Sequence, residues 1–208
     1  MLNAMKKNGG VLAVFAIAAT SLVAITNWIT QDKIIEQQQR ELQQTLNQVI
    51  PQSMHDNPLF SSCMLLPSQT TVTTAPQPAY LATKDGQPTA IAIETYAPDG
   101  YSGAIKLIVG LDMNGVITST RILKHNETPG LGDKIETRKS DWIFSFDRKT
   151  VTEDNQSSWA VRKDGGQFDQ FTGATITPRA VVNAVKKTVL YFKANKETIL
   201  KQPLNCKG

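Results

Sequence analysis

Residues 102–125, SGAIKLIVGLDMNGVITSTRILKH, carry the clearest structural signal in the sequence. Two runs rich in apolar and β-branched residues are separated by Asn114-Gly115, a pair that favours a type I′ turn between antiparallel strands. The stretch therefore predicts a β-hairpin, and it makes an antiparallel sheet the starting point for the rest of the fold.

Further elements on both sides of the hairpin extend it to an α+β domain over residues 81–200. Residues 89–97, TAIAIETYA, predict another strand, and residues 159–161 predict a short one. Residues 133–144 favour a short helix. A long helix is predicted over residues 178–196, with an apolar face formed by Val181, Val182, Val185, Val189, Tyr191 and Phe192. We therefore expect an antiparallel sheet covered by helices.

The N-terminus predicts a single membrane-spanning helix over residues 9–30. Residues 10–29 carry no charge, and a helix of that length spans about 30 Å, the thickness of the hydrocarbon core of a bilayer. Lys6 and Lys7 precede the apolar run, so residues 1–8 are expected in the cytoplasm and the rest of the chain outside it. A cleaved signal peptide is the alternative, although its apolar region is usually shorter, about 7–15 residues.

This topology places the predicted domain in a bacterial periplasm or its equivalent, with the anchor in the inner membrane. Disulfides form in such a compartment. Cys63 and Cys206 are the two cysteines of the chain, and the sequence leaves open whether they form a bridge or stay as two free thiols.

Composition excludes two classes of function. The net charge is +4, but the lysines and arginines are scattered rather than gathered in a stripe with aromatic residues, which argues against nucleic-acid binding. Two histidines and two distant cysteines, with no CxxC spacing, argue against a zinc or iron–sulfur site.

Between the anchor and the domain, the sequence predicts a helix and then a loop. Residues 31–50 favour an amphipathic stalk helix, with apolar residues seven positions apart at Ile35, Leu42 and Val49. The stalk either packs on its own domain or extends the anchor; a coiled-coil contact with a partner subunit is the alternative, although fewer than three heptads are present. Residues 51–80 are rich in Pro, Ser, Thr and Gln and predict a loop with room for a short edge strand, and residues 201–208 are expected to form a C-terminal tail.

The first candidate functional motif is DQFTGATITP, residues 169–178. Thr177 is expected to N-cap the long helix, because the proline after it suits the first helical position. A helix N-terminus presents free N–H groups and partial positive charge, which favour a phosphate. Gly173 and Ala174 allow close approach to the backbone, and Thr175 places a hydroxyl beside this anion site. An ordinary capped helix after a loop is the alternative.

The second candidate motif is HNETPGLGDK, residues 125–134, directly after the hairpin. Its Pro-Gly pair predicts a turn, and Gly132 permits another. Glu127 and Thr128 can hydrogen-bond a heterocycle, and Leu131 can pack on the face of its ring. A surface turn with polar residues is the alternative. Together the two motifs fit one site with a phosphate end and a ring end.

The two motifs resemble the signatures of a known family. E-T-P-G-L-G at residues 127–132 and D-x-x-T-G-A-T at residues 169–175 are similar to those of the FMN-binding domain of Rnf and Na⁺-translocating NADH:quinone reductase complexes. The single anchor and the chain length make the resemblance closest to the RnfG family, the G subunits of Rnf (also called Rsx) complexes. It covers the whole chain and is strongest over residues 100–185.

The resemblance implies a covalent cofactor. In this family a flavin transferase moves FMN from FAD, using Mg²⁺, and joins its phosphate as a phosphoester to the last threonine of the T-G-A-T pattern. In this sequence that threonine is Thr175. Thr177 is the other candidate threonine, but its place before a proline favours a capping role. The residues that match the transferase pattern are Asp169, Thr172, Gly173, Ala174 and Thr175.

The resemblance also implies the residues around the flavin ring. Glu127, Thr128, Leu131 and Gly132 match the family motif that lines the isoalloxazine. Tyr101 and Gly103 lie where the family places an aromatic and a small residue near the flavin. For Tyr101, a half-buried strand aromatic is the alternative interpretation. No metal ligand and no catalytic acid or base is predicted.

The function that the resemblance implies is electron transfer. The chain is expected to carry electrons on FMN within an ion-translocating complex, beside other Rnf subunits that include a membrane subunit with its own FMN. It would have no substrate turnover of its own. Two other functions stay open: an anchored flavoenzyme that reduces a small periplasmic substrate, and a non-redox docking protein. Loss of Thr175 distinguishes a carrier, which would fail, from a docking protein, which would not.

Overall fold

The computed structural model describes residues 2–67 and 75–206 of the chain, and of residues 2–4 only the backbone. Part of the predicted loop 51–80 and the last two residues of the predicted tail lie outside the described residues. The chain divides into two compact units, Met1–Leu42 and Gln43–Gly208.

The first unit contains most of one helix, and residues 43–49 of that helix belong to the second unit. Helix α1 spans Leu2–Val49, so one continuous helix includes both the predicted anchor and the predicted stalk. Its apolar part has a mean hydropathy of 2.1 over an 18-residue window, and none of that window is buried. By length and composition this helix is able to cross a membrane.

The second unit contains a five-stranded antiparallel sheet. Its strands pair in chain order, β1-β2-β3-β4-β5, and each is antiparallel to its neighbours. The predicted hairpin and the predicted strand 89–97 are confirmed as β4, β5 and β3. The strands are β1 Cys63–Leu66, β2 Gln77–Lys84, β3 Gln87–Ala97, β4 Ile105–Asp112 and β5 Ile117–Lys124.

One face of this sheet is covered by the long helix α2, which spans Ile176–Leu200. Side chains alternate between the two faces of a strand, so every second residue points toward α2. Burying each such aliphatic side chain contributes roughly 1.5–3 kcal/mol. The α+β architecture predicted from the sequence is confirmed. Fully buried residues of this core include Ile91, Ile93, Leu107, Val109, Val181, Val185, Val189 and Phe192.

The other face of the sheet receives the last turns of α1. Val49 packs against Gly110, where a Cβ atom would lie 2.8 Å from the Val49 carbonyl oxygen. The Thr118 hydroxyl donates a hydrogen bond to the same oxygen, at 2.7 Å. Leu46 and Ile50 are fully buried as well. The end of the predicted stalk is therefore part of the domain.

The turn of the hairpin differs from the predicted type I′ turn. Gly115 has a φ of 74°, but Asn114 does not have the positive φ that a type I′ turn requires at both central residues. Instead the Gly115 N–H donates to the Asp112 carbonyl at 3.0 Å, and the Asp112 carboxylate accepts bonds from the N–H groups of Asn114 and Val116. These side-chain bonds to Asp112 stabilise a longer loop than the Asn-Gly pair alone indicates.

Three other predicted segments are corrected. Residues 51–80, predicted as a loop with a short edge strand, contain β1 and also the start of β2. The predicted helix 133–144 is a pair of short 3₁₀ helices, Gly132–Ile135 and Trp142–Phe146. The predicted strand 159–161 is absent, and Val161 forms only an isolated bridge to Phe168. Trp159 packs with Phe146 and Phe168 in a cluster of aromatic rings rather than in a ladder, because tertiary packing overrides local propensity.

The two cysteines form a disulfide, which settles the pairing that the sequence left open. Cys63 lies on β1 and Cys206 near the C-terminus, with 143 residues of sequence separation. The Cys206 N–H also donates to the Cys63 carbonyl at 3.3 Å. The end of the chain is therefore attached to the edge strand β1.

Replacing Cys206 with serine should lower the free energy of unfolding by about 3 kcal/mol, because the bridge restricts a long loop in the unfolded chain. Urea denaturation of the full-length chain in detergent measures the change. A reducing agent should destabilise the parent to the same extent and leave the variant unchanged. Equal stability of the oxidised parent and the variant would contradict the prediction.

Candidate functional site

A cleft of about 240 Å³ opens where three loops of the second unit meet. The loops are the turn before β4, the segment after β5 and the approach to α2. The two sequence motifs contribute to the same cleft although they are separated by some 40 residues of sequence. The lining residues are Tyr101, Glu127, Thr128, Leu131, Gly132, Gly173, Ala174, Thr175, Ile176 and Thr177.

The carboxylate of Glu127 joins these three loops. Its Oε1 accepts a hydrogen bond from the Ser102 N–H at 3.0 Å, and its Oε2 accepts one from the Thr177 hydroxyl. Only 4% of Glu127 is exposed. A buried carboxylate is stable when its oxygens accept hydrogen bonds. Glu127 therefore fixes the position of α2 relative to the turn at Ser102.

Gly132 allows this close packing. A Cβ atom at position 132 would lie 2.7 Å from the Thr177 hydroxyl oxygen and 2.8 Å from Glu127 Oε2. Real Cβ atoms essentially never approach other atoms so closely. The second glycine of E-T-P-G-L-G is thus required by the space around Glu127.

Replacing Gly132 with alanine should destabilise the domain by about 1–3 kcal/mol, because the added methyl group displaces the Thr177 hydroxyl or the Glu127 carboxylate. The backbone of Gly132 does not need a positive φ, so the effect would be steric rather than conformational. Urea denaturation of the full-length chain tests it. A loss below about 0.5 kcal/mol, the usual range of a surface substitution, would show that the packing at this glycine is not tight.

The start of α2 differs from the prediction in one residue role. The N-cap position is Thr175, and Ile176 is the first helical residue. The prediction that Thr177 caps the helix is wrong, because its side chain is used to bond Glu127 instead. The first turn of α2 leaves backbone N–H groups without intrahelical partners, and it carries partial positive charge. These groups lie beside Thr175.

The three threonines of the motif lie in different environments. Thr172 is exposed on the turn and does not line the cleft. Thr177 is 1% exposed, and its hydroxyl is bonded. Thr175 is partly exposed, lines the cleft and makes no side-chain capping bond. Of these three threonines, Thr175 is therefore the one that both lines the cleft and is partly exposed to solvent.

The turn before Thr175 depends on small residues. Gly173 has a φ of 79°, which residues with a side chain rarely adopt. The Ala174 N–H donates to the Phe171 carbonyl at 3.1 Å and closes the turn. A Cβ atom at Gly173 would already contact Leu131, at 3.4 Å. The two small residues thus leave the backbone open on the side of the cleft.

The rim of the cleft is apolar. Tyr101, Leu131 and Ile176 are 67%, 41% and 44% exposed. Tyr101 lies on a turn, so the alternative of a half-buried strand residue is wrong. Ile176 was missed by the sequence analysis, although its place directly after T-G-A-T was the available signal. Exposed apolar side chains around a cleft are typical of a binding site.

Three predicted site residues lie outside the cleft lining: Asp169, Thr172 and Gly103. Asp169 is an exposed residue paired with Arg162, with the Nε–Oδ1 distance 2.8 Å. Its carbonyl oxygen accepts a bond from the Trp142 indole N–H at 2.8 Å. Gly103 has a φ of 114°, which only glycine adopts readily, and it shapes the turn that carries Tyr101.

A second ion pair lies near the start of α2. Arg179 contacts Asp164 with two hydrogen bonds of 2.6 and 2.8 Å. These bonds hold the pKa of the Asp164 carboxyl below its usual value. Within the described residues, no group of three or more His, Cys, Asp or Glu side chains is arranged to hold a metal ion.

Comparison with known families gives two matches. Residues 100–189 match the FMN-binding domain, and residues 1–49 match the RnfG N-terminal region. The first match includes every residue that lines the cleft.

Comparison with individual proteins gives relatives along the whole chain. The G subunit of an ion-translocating oxidoreductase complex from Vibrio atlanticus is 60% identical over 208 residues, covering 100% of both chains. The protein of the same name from Shewanella loihica is 52% identical over 207 residues, covering 99% of this chain and 98% of its own. The crystal structure of Shewanella oneidensis NqrC matches with a TM-score of 0.51 and 18% identity, over 73% of this chain and 74% of NqrC, and shows a shared fold.

Proposed function

Because the chain belongs to the RnfG family, the G subunits of ion-translocating oxidoreductase complexes, we propose that it is an electron carrier of such a complex, with FMN joined by a phosphoester to Thr175. The observation that carries the proposal is the cleft itself. It brings the Thr175 hydroxyl, the first turn of α2 and an apolar rim into one site within the segment that matches the FMN-binding domain.

The phosphate end of the cofactor would lie at Thr175. A flavin transferase would direct the Thr175 oxygen onto the FMN phosphorus of FAD. The new P–O bond to Thr175 replaces the bond to AMP, which leaves, and the hydroxyl proton passes to the transferase or to solvent. Backbone N–H groups at the start of α2 are suited to bind the remaining phosphate oxygens. Asp169 is exposed beside the loop, so a transferase would be able to contact it.

The ring end would lie against the segment after β5. Leu131, Tyr101 and Ile176 offer apolar surface for a planar ring, and Thr128 offers hydrogen-bonding groups. The cleft is slightly smaller than the range of about 300–1,000 Å³ that encloses whole ligands. It fits part of a flavin, and one edge of the ring would stay exposed to a redox partner.

FMN supplies the redox chemistry, because it accepts and passes on electrons. The protein residues bind and orient it. Glu127 and Thr177 keep the loops of the cleft in place, and the covalent bond keeps the cofactor loaded without an equilibrium with free flavin.

The proposed location is the bacterial inner membrane, with residues 1–8 in the cytoplasm and residues 9–30 across the bilayer. Two observations support a periplasmic domain: Lys6 and Lys7 precede the apolar run, and Cys63 and Cys206 form a disulfide. Residues 31–42 would connect the membrane to the domain, which begins at Gln43 rather than at the predicted residue 81. The proposed partners are the other subunits of the complex and the transferase.

Reductive titration of the purified full-length chain tests the proposal. Protein prepared from membranes of cells with an active transferase should contain one flavin per chain. The absorbance of this flavin should bleach on reduction and recover on oxidation. A chain without flavin absorbance from such cells would contradict the carrier function and favour a docking protein.

A further inference from the structure

The free edge of the sheet at β5 is covered over only part of its length. The Ile117 N–H donates to the Lys149 carbonyl, and the Ile117 carbonyl accepts from the Arg148 N–H, both at 2.8 Å. Along residues 121–124, the described parts of the chain provide no further backbone partner outside β4. A groove of about 520 Å³ runs beside this stretch. The opposite edge, β1, is occupied at Cys63 by the C-terminal tail.

A β-bulge at Leu123 places two cations on one face of this edge. Arg121 pairs with Ile108 and Lys124 pairs with Lys106, so one extra residue lies in β5 between them. Ile108 and Lys106 are two residues apart on β4 and point to the same face. Arg121 and Lys124 therefore point to that face as well, which is the effect expected of a bulge.

Arg121 has neutral partners where an anion is expected. Its Nε donates to the Gln48 side-chain oxygen at 3.0 Å, and its Nη1 donates to the Ser119 hydroxyl at 2.7 Å. The guanidinium lies 4.7 Å from the centre of the Phe144 ring. Within residues 2–67 and 75–206, no carboxylate lies within 4 Å of it. Burial lowers the pKa of Arg121, although the more distant carboxylate of Asp147 opposes that shift.

The opposite wall of the groove does not offset this positive charge. Glu136 is bonded to His125 at 2.7 Å and to Arg138 at 2.6 Å. These two bonds hold the pKa of the Glu136 carboxyl below its usual value. Because the charge of Glu136 is already matched by Arg138, the groove keeps an excess of positive charge from Arg121 and Lys124.

We propose that residues 121–124 of β5 and this groove bind an extended acidic segment of another subunit of the complex. The bound segment would add to the sheet as a sixth strand. Backbone groups of the open edge would hydrogen-bond the segment. Carboxylates two residues apart on the added strand would face Arg121 and Lys124 on the same side of the sheet. Charged residues on an edge strand can also prevent it from pairing with other chains. The experiment must therefore distinguish an edge that binds a partner strand from an edge that is kept unpaired.

Site-specific photo-crosslinking in membranes that contain the whole complex tests the proposal. A photoreactive residue replaces Thr137, an exposed residue of the groove. Mass spectrometry then identifies the crosslinked peptide. We expect an acidic segment of another subunit, and we expect the double variant Arg121→Glu, Lys124→Glu to lower the crosslink yield about tenfold or more. The matched control, Lys187→Glu with Lys201→Glu, makes the same charge change at exposed positions outside the groove and should leave the yield unchanged.

Four results would overturn the proposal: no crosslink, a crosslink to lipid, a crosslink to a second copy of this chain, or a yield that the groove variant does not change. The flavin content of each variant is measured in parallel. The groove and the cleft have no lining residue in common. Normal flavin content together with a lost crosslink would therefore separate this interaction from the carrier function.

Discussion

Replacing Thr175 with alanine should slow electron transfer through the assembled complex by about 100-fold or more, while the complex still assembles. A covalent tether keeps a group at an effective concentration of about millimolar, whereas an untethered flavin would have to bind from a compartment that holds little of it. Without a flavin on this chain, one carrier in the series is missing. Steady-state NADH oxidation by the purified complex measures the loss.

Two controls belong with this variant. Thr175→Ser keeps a hydroxyl at the same position and should keep most of the activity. Thr198→Ala makes the same substitution at an exposed threonine of α2 remote from the cleft, and it should have no effect. If Thr175→Ala lacked flavin and still retained more than half of the parent rate, this protein would not carry electrons.

Replacing Glu127 with alanine should destabilise the domain by about 3–5 kcal/mol, since it removes two hydrogen bonds to a charged group that are worth about 1.5–3 kcal/mol each. The Ser102 N–H and the Thr177 hydroxyl would lose their acceptor at a site that is nearly closed to water. The three loops of the cleft would also lose their common partner, so flavin content should fall. Urea denaturation and the flavin-to-protein ratio of the full-length chain measure the two effects.

Glu127→Gln separates the role of shape from that of charge. The amide keeps an oxygen for the Ser102 N–H and can donate to the Thr177 hydroxyl oxygen. We therefore expect a loss of only about 1 kcal/mol and nearly normal flavin content. Equal losses for alanine and glutamine would mean that the charge of Glu127, rather than its bridging position, stabilises the cleft.

The fold could be predicted wherever the sequence pattern and the packing agree. The hairpin at 102–125 follows from its two apolar, β-branched runs around Asn114-Gly115, and the apolar face of α2 follows from its helical periodicity. The strand predicted at 159–161 is wrong because Trp159 packs into an aromatic cluster with Phe146 and Phe168, and both partners lie outside the stretch from which the strand was predicted. Local propensity carries no information about such contacts.

The start of α2 shows the same limit at the candidate site. A threonine before a proline is a strong local signal for an N-cap, and it indicated Thr177. The structure places the helix start two residues earlier because Glu127, 50 residues away in sequence, accepts the Thr177 hydroxyl. The sequence contains both partners of this bond, but it does not show that they lie close together in space. The correction strengthens the proposed role of Thr175, since it leaves the Thr177 hydroxyl occupied.

The intact mass of the full-length chain, expressed in its membrane and denatured in acid, tests the covalent FMN at Thr175 most directly. The parent should be heavier than its sequence by one FMN less one water, and fragmentation should locate the added mass at Thr175 rather than at Thr172 or Thr177. Thr175→Ala should show no added mass. An unmodified parent, from cells whose transferase is active on another target, would contradict the account, as would added mass that persists in Thr175→Ala.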